Sequence, residues 1–257
     1  MSRFLYRGPL LLAFTLMLVQ STIVAERVSA IQTESQEEKQ ANFKEQALGG
    51  LFHRWTFDQK PEEGLGEFSQ LVVGGDAAAV WTIGADAEAP SPPNILKAGS
   101  SCQTGACYHL LVANKWQYEY PDVTVRLRFP AERGAGRGGI VIGLKDEKHF
   151  YAAVVDLAAK KLEVIRVLDE QVTVLGDTPI TPKPVDWHSL RINRDTIISK
   201  DVIEVFFDGR LVLSVQDQTL GLGQVGLLVL GQSPLHFDSL HAVPLFSQRP
   251  VSNPAAY

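Results

Sequence analysis

The sequence predicts an all-β protein that folds as an antiparallel β-sandwich. Nine short runs rich in Val, Ile, Leu, Phe and Tyr follow one another between residues 123 and 243, and Gly, Pro, Asp and Asn separate them. No long stretch after residue 51 has the period of a helix. Strands this closely spaced pair antiparallel, because parallel neighbours need crossover connections of a dozen or more residues.

Local patterns define the strands and one of their turns. In the first run apolar residues alternate with Thr124, Arg126 and Arg128, so one face of that strand is buried and the other is solvated or functional. Asp208 and Gly209 join two runs and tolerate the positive φ of a type I′ hairpin turn. The predicted strands are Val123 to Phe129, Gly139 to Leu144, Phe150 to Val155, Lys161 to Val167, His188 to Asn193, Val202 to Phe207, Leu211 to Gln216, Val225 to Leu230 and His236 to Val243.

The first 30 residues have the features of a secretory signal peptide. Arg3 and Arg7 form its positive end, an apolar run extends from Leu10 to Val19, and Ala25 and Ala30 are candidate cleavage sites. The run is about half of the roughly 20 apolar residues that a spanning helix needs, so a cleaved signal is favoured over an uncleaved membrane anchor. We expect a secreted or periplasmic protein with no transmembrane segment after signal removal.

Composition divides the rest of the chain. Residues 31–50 are rich in Gln, Glu, Lys and Ala and are predicted to form a polar leader or linker. Residues 51–247 suit a single sandwich domain, and residues 248–257 form a C-terminal tail. Between Leu51 and Trp116 the pattern is less regular, and edge strands and long loops are expected there. The net charge of −5 gives no basic surface, so no nucleic-acid partner is expected.

The only cysteines, Cys102 and Cys107, are predicted to form a small disulfide loop in an oxidising compartment, with Gly105 allowing the turn. A redox pair or two metal ligands are the alternatives. Redox pairs usually have the spacing Cys-x-x-Cys, and a metal site would need further His or Cys residues nearby.

Six segments follow one another in a characteristic order: His149 to Asp156, Lys161 to Val167, Trp187 to Ile192, Ile203 to Arg210, Gly223 to Leu227, and His236 to Leu240. This succession resembles the concanavalin A-like, laminin G-like domains of many exported bacterial proteins. The resemblance covers residues 120 to 243 well and the N-terminal third loosely. It implies a jelly-roll sandwich, and such domains serve as lectins, adhesion modules and glycoside-cleaving enzymes.

No catalytic residues are assigned from the sequence. Laminarinase-like hydrolases of this fold need Glu-x-Asp-x-x-Glu on one strand, and no Glu here is followed two places later by Asp. Two Gly-x-Gly-x-x-Gly segments, at residues 134–139 and 221–226, precede β-rich runs and are interpreted as turns. A more distant resemblance to 3-keto-disaccharide hydrolases leaves Asp146, Glu147 and Asp156 as candidate acids.

Aromatic and polar side chains on neighbouring strands could bind a sugar, because a pyranose has apolar faces and a polar rim. The alternative is that the aromatic residues fill the core and the arginines lie in solvent. The candidate ligand-binding residues are Trp116, Tyr118, Tyr120, Arg126, Arg128, Tyr151 and Asp156. Asp58 and Asp238, near the first and last strands, could together hold calcium, and no other cofactor is expected.

The leading hypothesis is an exported, non-catalytic module that binds a carbohydrate or another cell-surface ligand. The first rival is a glycoside-cleaving hydrolase of the 3-keto-disaccharide type. The second is a structural envelope protein that acts through protein contacts.

Overall fold

The computed structural model describes residues 52–74, 79–99, 107–130, 136–183, 185–197, 199–230 and 234–245. The predicted signal peptide, polar leader and C-terminal tail, and Cys102, lie outside these ranges. The described residues form fifteen strands and one short 3₁₀ helix. The strands are β1 (His53–Trp55), β2 (Phe68–Val73), β3 (Val80–Ala85), β4 (Asn94–Gly99), β5 (Tyr108–Ala113), β6 (Pro121–Arg128), β7 (Arg137–Asp146), β8 (His149–Asp156), β9 (Lys161–Leu168), β10 (Gln171–Pro179), β11 (His188–Ile197), β12 (Lys200–Phe207), β13 (Arg210–Gln216), β14 (Gln224–Leu230) and β15 (Leu235–Pro244), and the helix is Pro61–Glu63.

The strands build two sheets, and every pairing between them is antiparallel. Sheet A has the order β13-β12-β11-β6-β15-β4-β3, and β1 pairs with β15 beside β4. Sheet B has the order β10-β9-β8-β7-β14-β5-β2. The predicted all-β antiparallel sandwich is therefore confirmed. All nine predicted strands are present, and β10 is additional. β1 to β5 lie in the segment where edge strands and loops were expected, but β4 and β5 are interior strands of their sheets.

The main core lies between the two sheets. Alternate residues of β6 point into it, namely Val123, Val125 and Leu127, each fully buried. Ile140 and Tyr151 of sheet B belong to the same cluster. Thr124, Arg126 and Arg128 therefore point away from the core, onto the outer face of sheet A.

A second buried apolar cluster lies on the opposite face of sheet B. It includes Leu110, Val141, Phe150 and Leu228, and among the described residues its hydrophobic side chains all belong to sheet B. Sheet B is thus apolar on both faces, whereas the outer face of sheet A carries charged and polar residues. Within the described ranges no helix is long and apolar enough to span a membrane.

Two backbone features shape the strands near the site. Asp208 and Gly209 have φ values of 50° and 77°, as the predicted hairpin turn requires. In β15 the pairing with β6 shifts register between Asp238 and His241, and Ser239 has a φ of 50°. This bulge leaves both Asp238 and His241 on the outer face of sheet A.

Candidate functional site

The outer face of sheet A gathers arginine, histidine and tryptophan side chains from three adjacent strands. β6 lies between β11 and β15, and the register places Arg126 beside Ser189 and Asp238. Arg128 lies beside His236 in the same way. We call this surface the arginine face and define it by Arg126, Arg128, Trp187, Arg191, His236 and His241.

Arg128 is held by charge and by an aromatic ring. Its guanidinium forms an ion pair with Asp86, in the loop after β3, and lies 3.7 Å from a carboxylate oxygen of Glu88. It also lies 4.7 Å from the centre of the Trp187 ring, over the ring face. Arg128 Nη2 is 3.2 Å from His236 Nδ1. Because arginine only donates, that ring nitrogen accepts.

Arg191, in the neighbouring strand β11, is also held by a carboxylate and an aromatic ring. Its Nε and Nη2 donate to the two carboxylate oxygens of Asp122 at 2.6 and 2.7 Å. The guanidinium lies 4.7 Å from the centre of the Phe206 ring. Arg128 and Arg191 are therefore two positioned, ring-stacked cations on one surface.

Arg126 lies between these two cations and differs from both. Within the described part of the chain, no residue forms a hydrogen bond or ion pair with its guanidinium. Its Nε is buried without a partner, as is the Nε of Arg128, so the difference from Arg128 lies in the missing ion pair. The neighbouring carboxyl of Asp238 is fully buried and accepts hydrogen bonds from Ser91 N at 2.7 Å and Ser239 Oγ at 3.3 Å. Burial raises the pKa of Asp238, and the charge of Asp58 adds to this. Hydrogen bonds from Ser91 and Ser239 oppose this shift, and within the described ranges Asp238 forms no ion pair with Arg126.

His236 is expected to make the free energy of unfolding of the protein depend on pH. Burial, followed by the charges of Arg128 and Lys97, lowers its pKa to about 4, and Asp86 opposes this shift. The unfolded chain, with an ordinary histidine pKa near 6.5, binds the proton more readily, so the folded state loses stability as pH falls from 6.5 towards 4. On the order of 1 kcal/mol should be lost between pH 7 and pH 5, after discounting for partial exposure.

Urea denaturation of the wild type and of His236→Gln at both pH values tests this. The variant should lose less stability than the wild type between pH 7 and pH 5. Equal losses in the two proteins would show that His236 does not titrate in this way.

The two predicted calcium ligands, Asp58 and Asp238, lie near each other, because the charge of Asp58 raises the pKa of Asp238. Asp58 Oδ1 accepts a hydrogen bond from Asn94 N at 3.4 Å, and its carbonyl oxygen accepts from Asn94 Nδ2 at 3.2 Å. Within the described ranges, no group of three or more His, Cys, Asp or Glu side chains could hold a metal ion. The calcium site stays a prediction that rests on two carboxyl groups.

The other predicted ligand-binding residues lie away from the arginine face. Tyr118 and Tyr151 are buried in the core, where Tyr118 Oη lies 3.0 Å from His53 Nδ1 and Tyr151 Oη donates to Asp217 at 2.5 Å. This placement matches the core-filling alternative for these two residues. The cysteine pairing stays a prediction, since Cys102 lies outside the described ranges.

Trp116, Tyr120 and Asp156 are partly exposed and lie in different places. The Trp116 ring centre is 4.4 Å from that of His53, and the guanidinium of Arg194 lies 5.4 Å from the centre of the Tyr120 ring. Asp156 ends β8, where its carboxylate is 3.0 Å from Arg137 Nε. Of the predicted set, the structure brings together only Arg126 and Arg128 on one outer surface.

A hollow of about 260 Å³ lies near the start of the domain and was not predicted from the sequence. Trp55 and Phe68 line it together with Gln59, Glu63 and Glu67. Trp55 Nε1 donates to Glu67 at 2.8 Å. An aromatic ring with polar neighbours also suits a sugar, so this hollow is a second candidate surface.

Of the three candidate acids of the hydrolase hypothesis, Asp156 lies far from Asp146 and Glu147. In the β7–β8 hairpin, Asp146 is opposite His149 at one end and Asp156 is opposite Arg137 at the other. Seven residue intervals of an extended strand separate these ends by roughly 23 Å. Glycosidase carboxyl pairs are about 5 to 9.5 Å apart. Asp156 therefore cannot act together with Asp146 or with Glu147 in the hairpin turn.

The two antiparallel sheets give the chain the fold of a concanavalin A-like β-sandwich. Among solved structures it is similar to the carbohydrate-binding module CBM66 from Bacillus subtilis, with 15% identity over 65% of this chain and 95% of that chain and a TM-score of 0.52. It is also similar to a protein of unknown function with a galectin-like fold from Bacillus subtilis (11% identity, 74% and 94% coverage, TM-score 0.53) and to lectin II from Ulex europaeus (7% identity, 75% and 97% coverage, TM-score 0.51). At these identities the likeness shows the fold alone. No family model and no curated protein matches the chain.

Proposed function

We propose that this chain is an exported, non-catalytic module that binds carbohydrate on the arginine face of sheet A. The observation that carries the proposal is the pair of ring-stacked guanidinium groups, Arg128 on Trp187 and Arg191 on Phe206, on either side of the free Arg126. Rings provide apolar contact for the face of a sugar, and the partly exposed guanidinium groups of Arg191 and Arg126 donate hydrogen bonds to its hydroxyls, while Arg128, 11% exposed, positions the Trp187 ring.

Two further observations support the proposal. The fold is shared with proteins described as a carbohydrate-binding module and a lectin. The N-terminal pattern of Arg3, Arg7 and the apolar run from Leu10 to Val19 favours export, which would expose the module to extracellular or envelope glycans.

The test is a glycan array probed with the full chain, with and without calcium, followed by a search for cleavage products of each bound glycan. The Trp187→Ala variant should bind at least tenfold more weakly, about 1.4 kcal/mol, because the loss of the ring also frees Arg128. Trp55→Ala tests the second candidate surface, the separate hollow, and should bind as the wild type does if the arginine face is the site.

The outcomes separate the alternatives. Loss of binding in Trp55→Ala but not in Trp187→Ala would overturn the assignment to the arginine face. Cleavage products would overturn the non-catalytic assignment, and a blank array would overturn carbohydrate binding altogether. Trp187→Phe retains a ring, and together with circular dichroism it distinguishes a loss of contact from a loss of folding.

A further inference from the structure

We propose that the ligand of the arginine face is an acidic saccharide, and that Arg126 binds its carboxylate or sulfate group. This inference rests on the proposed function and names its ligand class. The shared chemistry is an oxyanion carried by a sugar, either the carboxylate of a uronic acid or a sulfate ester.

The first argument is the charge that remains after the ion pairs are assigned. Arg128 is neutralised by Asp86, and Arg191 by Asp122. Within the described ranges Arg126 and Lys97 form no ion pair, and the hydrogen bond from Lys97 Nζ is to the carbonyl oxygen of Ala85 at 3.4 Å. Both residues lie on the outer face of sheet A, which also carries the acidic residues Glu88, Glu204 and Asp238. Arg126 is therefore distinguished by its missing ion-pair partner within the described ranges and not by a net positive charge of the face.

The second argument is the cost of leaving Arg126 without a partner. The residue is half-buried, and its Nε is shielded from solvent without an acceptor, as in Arg128 and Arg194. Unlike those two arginines, Arg126 forms no ion pair within the described ranges. A partly desolvated guanidinium is stabilised by an anion far more than by a neutral hydroxyl, and its planar fork matches the two oxygens of a carboxylate or sulfate. An acidic ligand would supply the acceptor that the described residues do not.

The third argument is the position of Arg126 among the other groups. Arg128 is the next residue on the same face of β6, about 7 Å along the strand, and carries the Trp187 ring. Ser189 lies beside Arg126 on β11 and adds a hydroxyl. A sugar residue over Trp187 could therefore direct an acidic substituent towards Arg126 while its hydroxyls remain within reach of Ser189.

The experiment measures binding of the full chain to three sets of oligosaccharides: uronate-containing, sulfated and neutral. The wild type should prefer one acidic set, and its affinity should fall as NaCl is raised from about 0.05 to 0.5 M, because salt screens the exposed part of the contact. Arg126→Gln should weaken acidic binding by about tenfold or more and reduce its salt dependence. Arg126→Lys, which retains the charge but not the fork, should be intermediate.

Lys148→Gln is the matched control, because it removes one positive charge at the β7–β8 turn of sheet B, where Lys148 pairs with Glu170. It should bind acidic glycans as the wild type does. A preference for uronate over sulfate, or the reverse, identifies the source of the oxyanion.

Failure of this inference is distinguishable from failure of the proposed function. Binding of neutral glycans that equals acidic binding, with no effect of Arg126→Gln, would overturn the acidic ligand and leave carbohydrate binding intact. No binding in any of the three sets would overturn both. Equal weakening by Lys148→Gln would assign the effect to net charge and would also overturn the role of Arg126.

Discussion

Gly139→Ala is expected to destabilise the protein by about 3 kcal/mol or more, or to prevent folding. A Cβ atom at Gly139 would lie 2.0 Å from the carbonyl oxygen of Ala153 in β8. It would also lie 3.1 Å from Leu190 Cδ2 of the opposite sheet. Since the closest atom is backbone within a paired strand, a side-chain rotation cannot relieve the overlap, and β7 and β8 would have to separate.

Gly99→Ala provides the matched control. Gly99 also lies in a strand, β4, but a Cβ there would meet no heavy atom of the described residues within 4 Å. Its replacement should change the free energy of unfolding by less than about 0.5 kcal/mol. Urea denaturation monitored by circular dichroism measures both variants. Similar midpoints for the two would contradict the close approach of β7 and β8 at Gly139.

The sequence predicts those features of the fold that depend on a single strand or a single turn. The alternation in β6 correctly predicts which face is buried, and Asp208-Gly209 correctly predicts the hairpin turn, because both depend only on neighbouring residues. β5 gives no such signal, since all six of its residues are buried on the two apolar faces of sheet B. β10 is the opposite case, with mostly exposed residues.

The candidate site depends on strand order, which local patterns do not contain. Arg126 and Arg128 could be placed on a common face because they belong to one strand. The contacts of Arg128 with Trp187, His236 and Asp86 follow only when β11 and β15 are known to flank β6. Trp187 immediately precedes a predicted strand, and extending the alternation back from Leu190 would have placed it on the outer face.

The alternation of Trp116, Tyr118 and Tyr120 does not come from a β-strand, unlike the alternation in β6. These residues lie in the connection between β5 and β6, and Tyr118 forms an isolated bridge with Gly223 while its ring enters the core. A period of two in a short segment therefore does not establish that its side chains share a functional face.

Asp201→Ala is expected to lower the free energy of unfolding by about 3–5 kcal/mol, because Asp201 forms a buried ion pair with Arg194. Arg194 in turn contacts Glu119 and Tyr120. The side chains of Arg194 and Asp201 are 5% and 12% exposed and form an ion pair. Arg194 Nη1 donates to the carbonyl oxygen of Glu119 at 2.8 Å, and Thr196 Oγ1 donates to Asp201 at 2.6 Å. Removal of the carboxylate leaves the guanidinium buried without a counter-charge.

Asp122→Ala is the control. It removes the partner of Arg191, which lies in β11 as Arg194 does but is 37% exposed, so its guanidinium remains partly solvated without the carboxylate. That variant should lose about 1 kcal/mol or less. The double replacement Arg194→Met with Asp201→Leu should recover most of the stability lost in Asp201→Ala, since it removes both buried charges at once. Urea denaturation of Asp201→Ala, Asp122→Ala and the double variant measures these changes in the free energy of unfolding. If the double variant is no more stable than Asp201→Ala, the loss reflects packing around Asp201 rather than the unpaired charge of Arg194.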